Sequence, residues 1–166
     1  MTSTAAPARH AVIIGVCDYP LLGTADAAVG ADLDAVAWCA IAGAVNYPVN
    51  EVSLLRAPPL PAGQQAVYLP VNSQGASRSE ILAAVSALVN DLRANPGQRG
   101  LLVYAGHGAL INGELHLCPS DTALDSAGQL TGTIGFDEIY ALIGPEPLHE
   151  RGEDRWDEAA GAPSGA

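Results

Sequence analysis

Residues 100–108 read Gly100-Leu101-Leu102-Val103-Tyr104-Ala105-Gly106-His107-Gly108. A short continuous apolar run of this kind predicts a buried strand. It passes without a polar break into a histidine set between two glycines. Glycine lets the backbone turn sharply and lets a neighbour approach closely. Histidine is the side chain whose charge changes near neutral pH. Held just past a buried strand, it suits general acid–base work. The plainer reading is a structural loop histidine.

Outward from this stretch the chain alternates. Residues 11–16 (Ala-Val-Ile-Ile-Gly-Val) are a second apolar run, ending in the turn signal Cys17-Asp18-Tyr19-Pro20. Leu33, Val36, Ala37, Ala40 and Ile41 follow helical spacing, and Gly43 stops that helix. Residues 51–56 (Glu-Val-Ser-Leu-Leu-Arg) predict a short strand, and residues 57–76 a long loop. Ser77 and Glu80 stand at capping-box spacing before Ile81, Leu82, Val85, Leu88, Val89 and Leu92. Residues 114–118 (Glu-Leu-His-Leu-Cys) predict a strand of a hairpin turning at Asn112-Gly113. Phe136, Ile139, Tyr140 and Ile143 mark a third helix, closed by Gly144-Pro145.

Such alternation argues an α/β fold, a mainly parallel sheet with helices on both faces. Sites in these sheets lie at the carboxyl ends of strands, near a switch in strand order. Cys17 and His107 both stand at such ends, and a 2-1-3 strand order brings them near each other. The expected organisation is a flexible N-terminus over 1–9, a core over 10–144, and a linker or processing tail over 145–166. No fourth core strand follows the third helix.

Composition narrows the function. With 7 arginines, no lysine and 18 acids, the net charge is −11. A nucleic-acid surface needs clustered basic residues, and anionic membranes need the same, so neither partner is expected. No apolar run approaches the roughly 20 residues of a membrane span, and the N-terminus lacks a signal-peptide core. A cytoplasmic protein is expected. Three widely spaced cysteines, Cys17, Cys39 and Cys118, suggest neither a disulfide framework nor a zinc cassette.

Four stretches in order carry a resemblance. Tyr104-Ala105-Gly106-His107-Gly108 resembles the strand-end histidine motif of caspase-like cysteine peptidases, a group comprising caspases, metacaspases and their bacterial relatives. Residues 11–20 resemble the family's first strand. Gly30-Ala31-Asp32-Leu33-Asp34-Ala35 resembles its Gly-x-x-x-Asp-Ala helix start. Residues 113–121 (Gly-Glu-Leu-His-Leu-Cys-Pro-Ser-Asp) resemble its post-histidine hairpin. The likeness covers about residues 10–143. It implies a caspase-like three-layer fold, of which this chain holds only the N-terminal, large-subunit-like part: about three core strands and a small hairpin.

The resemblance also implies roles. His107 is the base of a Cys/His dyad, and the Gly108 backbone N–H helps form the oxyanion hole. Asp34 lines the S1 pocket and favours Arg or Lys at P1 through a charge-assisted contact. Aspartate-specific caspases read their substrate with an arginine whose place falls near Ala28 here, so the lean is toward basic P1 residues. The family's nucleophilic cysteine follows a fourth strand downstream of the histidine, and no cysteine follows Cys118. A separate or cleaved-off small-subunit-like segment is therefore expected to bring it, with a protein as substrate and no cofactor or metal. Roles of bacterial members in defence or regulated cell death apply only by analogy.

Blander readings stand beside these. Asp32 and Asp34 also fit as acids complementing a helix dipole, the better reading for Asp32. Cys39 and Cys118 fit the core, while Cys17 remains a lesser candidate nucleophile. His116 is expected on a hairpin strand, and His10 and His149 in flexible segments. Asp121 and Asp137 resemble part of a metacaspase calcium site in which Phe136 replaces an acid, too few oxygens to assign an ion. Two other functions compete: a non-catalytic caspase-like scaffold or regulator, and an unrelated doubly wound ligand-binding domain. The last calls for a phosphate loop after the first strand, and Gly15-Val16-Cys17-Asp18-Tyr19-Pro20 is not one.

Overall fold

A computed structural model describes residues 9–23, 27–58 and 73–144. The linker or tail expected over 145–166, His149 and most of the expected loop and N-terminus lie outside these residues. Four strands make the main sheet: β1 (Arg9–Val16), β2 (Val52–Ala57), β3 (Ser73–Gln74) and β4 (Arg99–Ala105). Their order is β3-β2-β1-β4, all parallel. The core strands thus adopt the expected 2-1-3 arrangement. The molecule is a mixed α/β structure.

Helices cover both faces because the strand side chains alternate. Ala11, Ile13, Val52 and Leu54 pack against Ala35, Cys39 and Ala42 of α1 (Ala31–Ala44). Val12, Ile14, Val16 and Leu55 pack against Ile81, Val85, Leu88 and Val89 of α2 (Arg78–Ala94). Burying each such aliphatic side chain is worth about 1.5–3 kcal/mol. Gly15 lets α1 lie close: a Cβ there would come within 2.6 Å of Ala35 Cβ and 2.8 Å of Ala31 O.

The buried stripe of α1 is therefore its small-residue side. Leu33 and Ile41, which set its predicted apolar periodicity, are 67% and 46% exposed. Close approach to the sheet selects alanine and cysteine for the contact.

The α2 N-terminus follows the predicted capping box: Ser77 N–H donates to Glu80 Oε2 (2.9 Å), and the Ser77 hydroxyl accepts from Glu80 N–H. Arg78 N–H donates to Asp121 Oδ1 at 2.7 Å. Beyond β4 come β5 (Gly108–Ile111) and β6 (Glu114–Leu117), antiparallel about Asn112 and Gly113. These two have φ of 53° and 87°, as a two-residue hairpin of the primed type requires. Three two-residue strands follow. β7 (Ala123–Leu124) pairs with β8 (Leu130–Thr131), and β9 (Ile134–Gly135) joins β6. β9 leads into α3 (Phe136–Ile143). α2 holds α3 at both ends: Arg78 forms an ion pair with Glu138, and Arg93 donates to the carbonyls of Leu142 and Ile143 at 3.0 Å each.

Two elements depart from the sequence expectations. Ser73 and Gln74 fall in the predicted loop but add a strand to β2. Arg9 and His10 belong to β1 rather than to a flexible end. His10 Nδ1 lies 3.0 Å from Glu51 Oε2 at the amino end of the sheet, away from Cys17 and His107. Among the described residues, no helix is long and apolar enough to cross a membrane.

β4 pairs only with β1 among the described strands, so one backbone edge stands open. Beside that edge, on the α2 side, lies an apolar groove of about 570 Å³ lined by Leu88, Leu92, Leu102 and Ile143.

Candidate active site

The register Gly15↔Ala105 sets the ends of β1 and β4 side by side. Cys17 follows β1 directly, and His107 stands two residues past β4. The expected proximity of these two chain positions follows from that pairing. His107 is exposed, and its imidazole stacks on the ring of buried Tyr19, centroids 5.0 Å apart and planes 27° apart. Its backbone N–H donates to the Tyr19 hydroxyl at 2.7 Å, and its carbonyl accepts from Cys118 N–H at 3.0 Å. The ring thus faces solvent at the carboxyl end of a parallel sheet while its backbone is held.

The start of α1 is brought to the same end. Ala28 N–H donates to the Cys17 carbonyl at 3.1 Å, and the first turn of α1 rests on Gly15. Cys17, Asp32 and Arg56 form one cluster there. Arg56, 7% exposed, pairs with Asp32, and Asp32 also hydrogen-bonds the Cys17 thiol. Asp34 stands exposed on the same helical turn. Of the two acids in this turn, Asp34 is thus exposed and Asp32 is paired.

The cysteines are not activated. Burial raises the Cys17 thiol, and the charge and hydrogen bond of Asp32 raise it further; Asp18 adds to this and Arg56 opposes it. Burial pushes Cys39 up to about 11 and raises Cys118 as well. A nucleophilic cysteine needs the reverse, a lowered thiol beside a cation or an imidazole.

Gly108 opens β5 opposite Leu117. A Cβ there would meet only ordinary contacts, the nearest 3.4 Å away, so packing alone does not demand glycine. Asp121 is engaged in capping α2, and Asp137 Oδ1 lies against Gly135. Among the described residues, no group of three or more His, Cys, Asp or Glu stands together as a metal site. His116, on β6, has Nδ1 3.1 Å from Thr133 Oγ1. Tyr19, Tyr104 and Arg56 are the site residues that sequence reasoning missed. The only signal for them was a polar side chain at or just past the end of an apolar strand.

No family model matches the chain, and comparison with curated proteins finds no match.

Proposed function

We propose that the chain is the histidine-bearing, large-subunit-like part of a caspase-like cysteine endopeptidase that cleaves after Arg or Lys. The observation that carries this reading is the exposed His107 imidazole, fixed over Tyr19 where β4 ends beside β1. His107 is the general base and acid, the Gly108 N–H an oxyanion donor, and Asp34 the acid that reads P1. The nucleophile comes from a further segment that pairs onto the open edge of β4. The raised thiols of Cys17, Cys39 and Cys118 support that division of labour. A net charge of −11 also favours encounter with cationic peptides.

The same raised thiols favour the second reading, a caspase-like scaffold without catalysis. A fluorogenic peptide with arginine at P1 separates the two. The peptidase reading expects no cleavage by residues 1–166 alone, and cleavage once a cysteine-bearing segment occupies the β4 edge. Occupation of the edge without cleavage supports the scaffold.

A further inference from the structure

Two tyrosine hydroxyls converge on the loop that carries His107. The Tyr19 hydroxyl accepts from His107 N–H at 2.7 Å and donates to the Val16 carbonyl at 3.2 Å. The Tyr104 hydroxyl donates to the Cys118 carbonyl at 2.6 Å and lies 3.2 Å from the His107 carbonyl. With Cys118 N–H on the same carbonyl, both backbone polar groups of His107 are fastened. Gly106 lies where the tyrosines meet: a Cβ there would stand 2.7 Å from Tyr104 Oη and 2.9 Å from Tyr19 Oη.

This arrangement is more than packing. Tyr19 is 1% exposed, where a phenylalanine ring would fill the same space without a hydroxyl to satisfy. A buried hydroxyl without partners is unfavourable, so its presence is explained by the bonds it makes. Burial raises both phenols, which keeps them neutral through the working pH range. The Tyr19 ring adds a second constraint by lying flat against the imidazole.

We infer that Tyr19 and Tyr104 are positioning residues for His107: their hydroxyls lock its backbone, and the Tyr19 ring sets the plane of its imidazole. Their catalytic consequence rests on the reading of His107 as the base; the lock itself does not.

Amide hydrogen exchange and NMR on residues 1–166 test the lock without reference to activity. Tyr19→Phe keeps the ring and removes the hydroxyl. It should speed exchange of the His107 amide at least tenfold, leave the central β1 amides unchanged, and preserve the ring-current shift of the imidazole protons. Tyr19→Leu should abolish that shift as well. Tyr104→Phe, a milder change at a half-buried site, should speed exchange of the Cys118 amide and leave the shift in place. Unchanged His107 exchange in Tyr19→Phe would overturn the lock. In the complemented peptidase, Tyr19→Phe should lower kcat tenfold or more at constant KM. An unchanged kcat beside faster exchange would overturn the positioning role. Absence of cleavage by the complemented wild type would count against the base reading, while the exchange data would still decide the lock.

Discussion

Arg56, buried at the carboxyl end of β2, is paired with Asp32 in the first turn of α1. The pair joins strand and helix at the end of the sheet where His107 stands. Arg56 Nε has no hydrogen-bond partner among the described residues, so Asp32 is the principal compensation there for a charge withdrawn from water. Breaking a buried pair from one side leaves the other charge exposed to the full desolvation penalty. Asp32→Ala should therefore destabilise the fold by about 3 kcal/mol. Asp32→Ala combined with Arg56→Met should recover much of that loss. Denaturant unfolding of the two single variants and the double variant measures the coupling; additive losses would contradict a paired role.

Asp34 has no such side-chain partner among the described residues, and the peptidase reading makes it the P1 reader. Asp34→Ala should abolish most of the preference for Arg and Lys over neutral P1 residues in the complemented peptidase. Its melting curve should shift by no more than a dipole-facing acid explains, about 0.3–1 kcal/mol. Profiling cleavage of a P1 peptide library checks this. Efficient cleavage after Asp, or an unchanged profile in the variant, would remove Asp34 from S1.

Cys17 is protonated at neutral pH because burial and the Asp32 carboxylate both disfavour its thiolate. Its alkylation by iodoacetamide should be slow at pH 7 and accelerate above the ordinary thiol range, near 8.5. Asp32→Asn removes a negative charge and should shift the rate profile to lower pH. Mass spectrometry of Cys17 across a pH series reads both effects. Fast alkylation at pH 7 would show an activated thiol.

Glu80 provides a pH signature for the fold. Its hydrogen bonds to the Ser77 hydroxyl and Ser77 N–H, with a further one to the Gly75 N–H, hold its carboxyl below the usual range. A lowered folded-state value adds stability above the unfolded value of about 4.3, and that stability is lost as pH falls through the folded value. Glu80→Gln should thus melt below wild type at pH 7, and the gap should begin to narrow once the pH falls below the unfolded value. Ser77→Ala should cost about 1 kcal/mol through loss of the N-cap. A gap between Glu80→Gln and wild type that does not narrow as the pH falls from 7 into the acid range would contradict the charge-based account.

What could be read in advance was whatever depends on local pattern. The apolar runs at 11–16 and 100–104 gave β1 and β4, Ser77 and Glu80 gave the start of α2, and Asn112-Gly113 gave the hairpin. Each rests on a few adjacent residues. The buried face of α1 did not follow from hydrophobicity, because contact with Gly15 rewards small side chains over Leu33 and Ile41. β3 and β9 are two-residue strands whose pairing is wholly nonlocal. Likewise His107 stood out between its glycines, whereas Tyr19 lies 88 residues away and meets it only through the β1–β4 pairing.

The most direct test of the central claim is the rate of arginine-P1 peptide cleavage by the chain complemented with a cysteine-bearing segment, compared across wild type, His107→Ala and Cys17→Ala. A positioned acid–base contributes about 10²–10⁴-fold. His107→Ala should lose activity on that scale with the melting temperature and segment binding unchanged, and Cys17→Ala should remain active. Full activity in His107→Ala would contradict the account of the site. Loss of activity in a folded Cys17→Ala complex would place the nucleophile in this chain and overturn the split-enzyme reading.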